Sequence, residues 1–228
     1  MNIGDTIRDS FEFAQNALFG KWVRWIMLVI ASIIFPVMYG YTVRVMKGIE
    51  PQYEEESFFG LFISGLKLMV INIIYMIIPA IVFISTIGYA IIGIVSAGEN
   101  ISMESLLPMI GGIIGGVILT VILAFIFSLL NIIGSVRFAR TDSISEAFAI
   151  GEIIATIGKI GWLKYLVSLI ALFIVIAIIV VVITVIEVIL AFIPILGWII
   201  GWILSIFLGP FLSLMVSRYY SLLYDSGV

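Results

Sequence analysis

Glu187 is the only Asp, Glu, Lys or Arg placed well within an apolar run of this chain, the run from Leu163 to Phe192. A carboxylate in such a setting can carry a proton, hold a cation or make a polar contact between helices. Asn72 and Asn131 lie in or near two other apolar runs, and their amides suit interhelical hydrogen bonds. Glu187 and Asn72 together are the candidate intramembrane polar site. A second set is cationic. Arg44, Lys47, Arg137, Arg140 and Arg218 follow the ends of apolar runs, and planar guanidinium forks beside an ammonium group could jointly hold a phosphate or another anionic headgroup. Ordinary membrane topology calls for the same residues in the same places. A third set is acidic: Glu54, Glu55, Glu56, Glu146 and Glu152 could ligate a metal only by converging. The triplet also fits the opening turn of a helix, where the dipole favours acids. Gly151 to Lys159 ends in Gly-Lys, but Ile160 stands where a phosphate-binding loop needs a hydroxyl. These residues define no catalytic, metal or cofactor set, and no cofactor is expected.

The elements that would position these side chains follow from composition. Apolar residues make up 63% of the 228, charged residues 11%, and the mean hydropathy is +1.32. Soluble domains have roughly 45–50% and 25%, so this is an integral membrane protein. With neither Cys nor His, disulfides, thiol nucleophiles, imidazole bases and the usual zinc shells drop out. A net charge of −3 argues against nucleic acid, which needs a basic surface. The expected partners are the lipid bilayer and either another membrane protein or further copies of the chain. Residues 1 to 21 carry charges throughout, unlike a secretory leader.

Apolar stretches run from about Trp22 to Met46, Leu66 to Val95, Leu106 to Val136, Leu163 to Phe192 and Trp198 to Met215. The last four read as long membrane spans. Residues 96 to 105 and 193 to 197 contain no Lys or Arg, while the other connections hold all 11. Cationic connections stay in the cytoplasm, which places the long connections and the C-terminus there, in a cell membrane. Asn100-Ile101-Ser102, a glycosylation sequon, falls in a connection expected outside. One crossing at 22–46 would put Arg8, Lys21 and Arg24 on the wrong side. Pro36 divides that stretch, which fits either a kinked span or a re-entrant hairpin that returns the N-terminus.

An internal repeat is also visible. Asp5 to Phe13 lines up with Asp142 to Ile150, Gly20-Lys21 with Gly158-Lys159, and Val43-Arg44 with Val136-Arg137. The chain divides into units of about 1–47, 48–140 and 141–228, each with an in-plane amphipathic helix, a membrane hairpin and a basic exit. In the first in-plane helix Ile3, Ile7, Phe11, Ala14 and Leu18 form the apolar stripe. In the third, Ile144, Phe148, Gly151 and Ile154 form it, behind a capping box of Ser143 and Glu146. The middle copy runs from Tyr53 to Leu66. Gly111-Gly112, Gly115-Gly116 and Gly197 with Gly201 offer small faces for close helix packing. The fold class is thus all-α, a polytopic membrane bundle of four long spans plus the N-terminal kinked span or hairpin, with residues 1–228 forming one membrane domain.

Asn2-Ile3-Gly4, Gly40-Tyr41-x-x-Arg44, Leu61-Phe62-x-x-Gly65-Leu66-Lys67 and Ala147-Phe148-x-x-Gly151-Glu152 together resemble an archaeal family of multi-pass membrane proteins classed as a domain of unknown function. Tyr53 departs from the Trp of that pattern. The family is distantly similar to membrane domains accompanying bacterial glycerophosphodiester phosphodiesterases, whose catalytic part is a separate soluble domain. The resemblance implies an architecture and no activity. The expectation is a non-catalytic membrane protein, acting as scaffold, accessory subunit or lipid organiser. The alternative is a transporter or lipid-translocating protein that works at the interface between repeats.

Overall fold

A computed structural model of the chain describes residues 2–48, 58–97, 103–193 and 195–228. The elements are all helical: α1 (Ile3–Leu18), α2 (Trp22–Ile33), α3 (Phe35–Met46), α4 (Phe58–Ala97), α5 (Met103–Thr141), a 3-10 turn (Ser145–Phe148), α6 (Ile150–Ile160), α7 (Trp162–Leu190) and α8 (Leu196–Asp225). Glu54, Glu55, Glu56, Tyr53, Asn100 and Pro194 lie outside the described residues. Four helices, α4, α5, α7 and α8, are long and apolar enough to cross a membrane. At 1.5 Å per residue the 40 residues of α4 extend about 60 Å, twice a ~30 Å hydrocarbon core. Such helices must tilt or project beyond the bilayer.

The break in the first apolar stretch falls at Ile34, with φ −94° and ψ 79°, and Pro36 sits in the opening turn of α3, where its missing N–H costs nothing. Each of α2 and α3 has 12 residues, about 18 Å of helix. Gly20, at φ +74°, turns the chain by 104° between α1 and α2. Gly161, at φ +92°, stands at the corresponding place between α6 and α7, a backbone region open mainly to glycine. Gly158, which the sequence aligns with Gly20, lies within α6.

Two other sequence expectations change. The capping box at Ser143 does not start a helix: the Ser143 hydroxyl pairs with that of Ser145, and Glu146 turns to Arg137. A 3-10 turn forms there, and α6 begins only at Ile150. The packed faces of the short helices also differ. In α1, Thr6, Ser10, Ala14, Ala17 and Leu18 are buried while Phe11 is 40% exposed. In α6 the buried set is Ile153, Thr156, Ile157 and Ile160, with Ile144 and Ile154 outside. In α1 the neighbouring helix approaches over mostly small side chains, whereas α6 packs through Ile153, Ile157 and Ile160.

The chain forms two compact units, Met1–Met69 with Ile133–Val228, and Val70–Ile132. In the first, α1, α2, α3 and α7 all pack on α8. Its core holds Leu18, Val43, Phe138, Ile153, Ile157, Tyr165, Leu214, Met215 and Tyr219, nearly fully buried. The buried Tyr219 hydroxyl donates to the Ser168 carbonyl at 2.8 Å, tying α8 to α7. Phe11, Phe19, Trp22, Trp25, Phe207 and Phe211 form a chain of ring contacts. The Trp25 indole N–H donates to the Phe207 carbonyl at 3.0 Å, in the turn that precedes Pro210, where a proline loosens the helical ladder. α3 and α4 meet backbone to backbone. A Cβ on Gly65 would lie 1.6 Å from the Pro36 carbonyl oxygen, and one on Gly40 1.9 Å from that of Leu61.

In the second unit, Gly116 faces Thr86, Gly112 faces Tyr89 and Gly93 faces Met109. The first number falls as the second rises along these pairs, so the two helix segments run antiparallel. Gly111 and Gly115 meet nothing within 4 Å, so only alternate members of the glycine pairs serve packing. Ile84, Ile92 and Val121 are each more than 60% exposed, an outward apolar surface suited to lipid.

Candidate functional site

The five candidate cations all belong to the first unit, and four of them meet acids. Arg218 Nε donates to Asp9 Oδ1 at 2.8 Å, and its guanidinium lies 5.1 Å from the Phe13 ring centre, so α1 is held to α8 by charge and ring together. Arg140 NH2 donates to both Asp225 oxygens at 2.9 and 2.8 Å and to Ser221 Oγ at 2.8 Å. Arg137 pairs with the Glu146 carboxylate and has only 14% of its side chain exposed. Lys47 and Lys67 reach the two oxygens of Asp142 at 3.9 and 3.8 Å. Asp142 itself has φ +57°, a region in which Asp is better tolerated than most residues. The basic ends are thus clamps that fasten α1, α3 and the 3-10 turn to the long helices.

Arg44 stands apart. It is 8% exposed, and its Nε meets no hydrogen-bond partner among the described residues. A buried N–H donor without an acceptor is costly, which sets Arg44 apart from the four cations that meet acids.

Asn131 Nδ2 donates to Asn72 Oδ1 at 2.9 Å, the amide contact expected between two spans. Asn72 lies in the second unit and Glu187 in the first. Glu187, in the last turn of α7, accepts a hydrogen bond from the Ser205 hydroxyl of α8. The two line an open cleft of about 280 Å³ together with Gly197, Trp198, Gly201 and Trp202. Gly201 makes the room. A Cβ there would lie 3.5 Å from Glu187 Cγ, so the acid lies flat against the α8 backbone.

A family described as a protein of unknown function (DUF4013) matches residues 25–188. The chain belongs to this family. No curated protein and no solved structure matches it. The DUF4013 match covers Arg44, Lys47, Asn72, Asn131, Arg137, Arg140 and Glu187, together with Asp142 and Glu146. Asp9, Arg218, Asp225 and the α8 side of the Glu187 cleft fall outside it.

The sequence places the acids of the short helices, Asp9 among them, near the basic ends, but it does not pair Asp9 with Arg218 and gives no sign of Asp142, Asp225 or Ser221 as partners. Nothing local marks them, because their partners lie as far as 209 residues away. The α8 side of the cleft had a legible signal. Gly197, Gly201 and Ser205 recur every four residues, one small and finally polar face of a helix.

Proposed function

We propose that this DUF4013 chain is a non-catalytic integral membrane protein that acts as a scaffold, accessory subunit or lipid-organising element, with its long connections and C-terminus in the cytoplasm of a cell membrane. The observation that carries this reading is the set of ionic clamps at the basic helix ends. Cations that fasten helices to one another serve architecture, and they leave Arg44 as the position for a headgroup phosphate. The N-terminal stretch is a re-entrant hairpin. Asp9 meets Arg218 and the Met46 carbonyl accepts from Ser221, so both ends of that stretch reach the last turns of α8. Trp25 touches α8 farther from that end, at Phe207. The repeat between the first and third units is supported by the elbow–glycine–Trp hinge, built once as Gly20 with Trp22 and again as Gly161 with Trp162.

Purification in mild detergent followed by native mass spectrometry tests the reading. A stoichiometric membrane protein or retained lipid is the expected result. A chain stripped of both that moves solute or lipid across a reconstituted bilayer would overturn it in favour of transport, for which Glu187 is the one charged residue in the α7–α8 pair away from the basic ends.

A further inference from the structure

Between Tyr165 and Ser217 the chain carries one charged side chain, Glu187. Its surroundings add negative potential without neutralising it. Glu187 lies in the last turn of α7, where helix carbonyls concentrate negative partial charge, and that turn has no basic residue. Two amides at the start of α8 are already engaged: Gly197 N–H donates to the Ile193 carbonyl at 3.0 Å and Ile199 N–H to that of Ile195 at 3.2 Å. Among the described residues, the hydrogen bond to the carboxylate comes from Ser205, a neutral hydroxyl. An acid so placed beside lipid calls for a cation.

The lining selects which cation. One carboxylate and one hydroxyl fall short of the six to eight oxygens of a Ca²⁺ shell, or the octahedron Mg²⁺ demands. Trp198 and Trp202, one turn apart on α8, both line the cleft, and indole is the best of the aromatic partners for an organic cation. A cleft of about 280 Å³ is near the lower end of small-molecule sites, ample for a headgroup-sized amine. Its depth agrees. Glu187 lies 23 residues beyond Lys164 on α7, about 35 Å at 1.5 Å per residue. That is slightly more than a ~30 Å core, so the cleft opens among headgroups on the side away from the basic ends.

We propose that Glu187, Ser205, Trp198 and Trp202 form a site for an organic ammonium group, with the carboxylate taking its charge and the indoles flanking it. The site rests on the membrane reading above but not on whether the protein is a scaffold. The amine can come from a zwitterionic lipid headgroup or from a soluble amine. The test uses the full chain in nanodiscs of phosphatidylglycerol alone, titrated with ethanolammonium and followed by tryptophan emission, with sodium as control. Saturable binding is expected. Glu187→Gln, which still accepts from Ser205, should weaken it at least tenfold with no change in unfolding temperature, and Trp202→Leu should weaken it severalfold. In discs containing phosphatidylethanolamine, a suppressed response supports the lipid as source, and an undiminished one supports the soluble amine. No saturable response, an equal response to sodium, or full binding by Glu187→Gln would overturn the site. Unchanged protein co-purification by Glu187→Gln separates that failure from failure of the scaffold reading.

Discussion

The two ends of the first unit treat charge in opposite ways. At the basic end, Arg137, Arg140, Arg218, Lys47 and Lys67 each face a carboxylate, and all of those pairs except Arg137–Glu146 connect elements far apart in sequence. At the other end, Glu187 accepts from a hydroxyl and shares its cleft with two indoles, and among the described residues no cation pairs with it. A compensated charge costs little to keep and can serve as a fastener. An uncompensated one lowers stability unless something supplies the missing charge. The contrast separates side chains that hold the fold from those available for a ligand.

The largest effect should come from breaking the frame that carries the basic end. Gly65→Leu sets a side chain against the Pro36 carbonyl, where even a Cβ would be 1.6 Å away. That partner is backbone and cannot rotate aside, so the loss should reach at least about 3 kcal/mol, the upper part of the range for overpacking. Loss of the monodisperse peak in detergent chromatography is the expected result. Next comes the clamp itself. Arg137→Ala leaves the Glu146 carboxylate without its partner and should cost about 1.5–3 kcal/mol, as for hydrogen bonds to charged groups. The readout is unfolding temperature by tryptophan emission. An unchanged value would mean that the clamps carry no stability.

The sequence made the long helices legible and the faces of the short ones illegible, for one physical reason. A long unbroken apolar run reads as a span, so four apolar runs correspond to α4, α5, α7 and α8, while the run from Trp22 to Met46 breaks at Ile34 beside Pro36. In a membrane protein, however, an apolar stripe reports lipid as readily as core. The α1 stripe of Ile3, Ile7, Phe11, Ala14 and Leu18 therefore caught only part of the packed face: Ala14 and Leu18 are buried, but so are Thr6, Ser10 and Ala17, which lie off it. The Ser143 and Glu146 pattern failed because Arg137 competes for the same carboxylate, a tertiary contact that local spacing cannot contain. Glu187 and the Asn72–Asn131 contact were legible because polar residues are rare enough in apolar runs to stand out. Their partners' identities were not, since Ser205 is one hydroxyl among many.

Arg44 sharpens the comparison from within the basic end. Both Arg44 and Arg137 are largely buried, yet only Arg137 has an acid among the described residues. Replacing a buried charge by an apolar side chain of similar length is often neutral or stabilising, by about 1 kcal/mol or more. Arg44→Met in detergent without anionic lipid should therefore leave the unfolding temperature unchanged or raise it, the opposite sign to Arg137→Ala. Adding phosphatidylglycerol should stabilise the native chain more than Arg44→Met. Equal stabilisation of both would remove Arg44 as the anion-binding member of the set.

The smallest effect belongs to the second unit, where Asn131 and Asn72 offer a neutral counterpart to both ends of the first. An amide pair closes its own hydrogen bond and has no charge to balance, so it needs neither an acid nor a ligand. Interhelical hydrogen bonds of this kind in membranes average only about 0.6 kcal/mol, because each partner finds other acceptors when the contact is lost. A double-mutant cycle of Asn72→Leu and Asn131→Leu should give a coupling of that size in unfolding free energy. A coupling several times larger would show the pair to be part of a wider polar network.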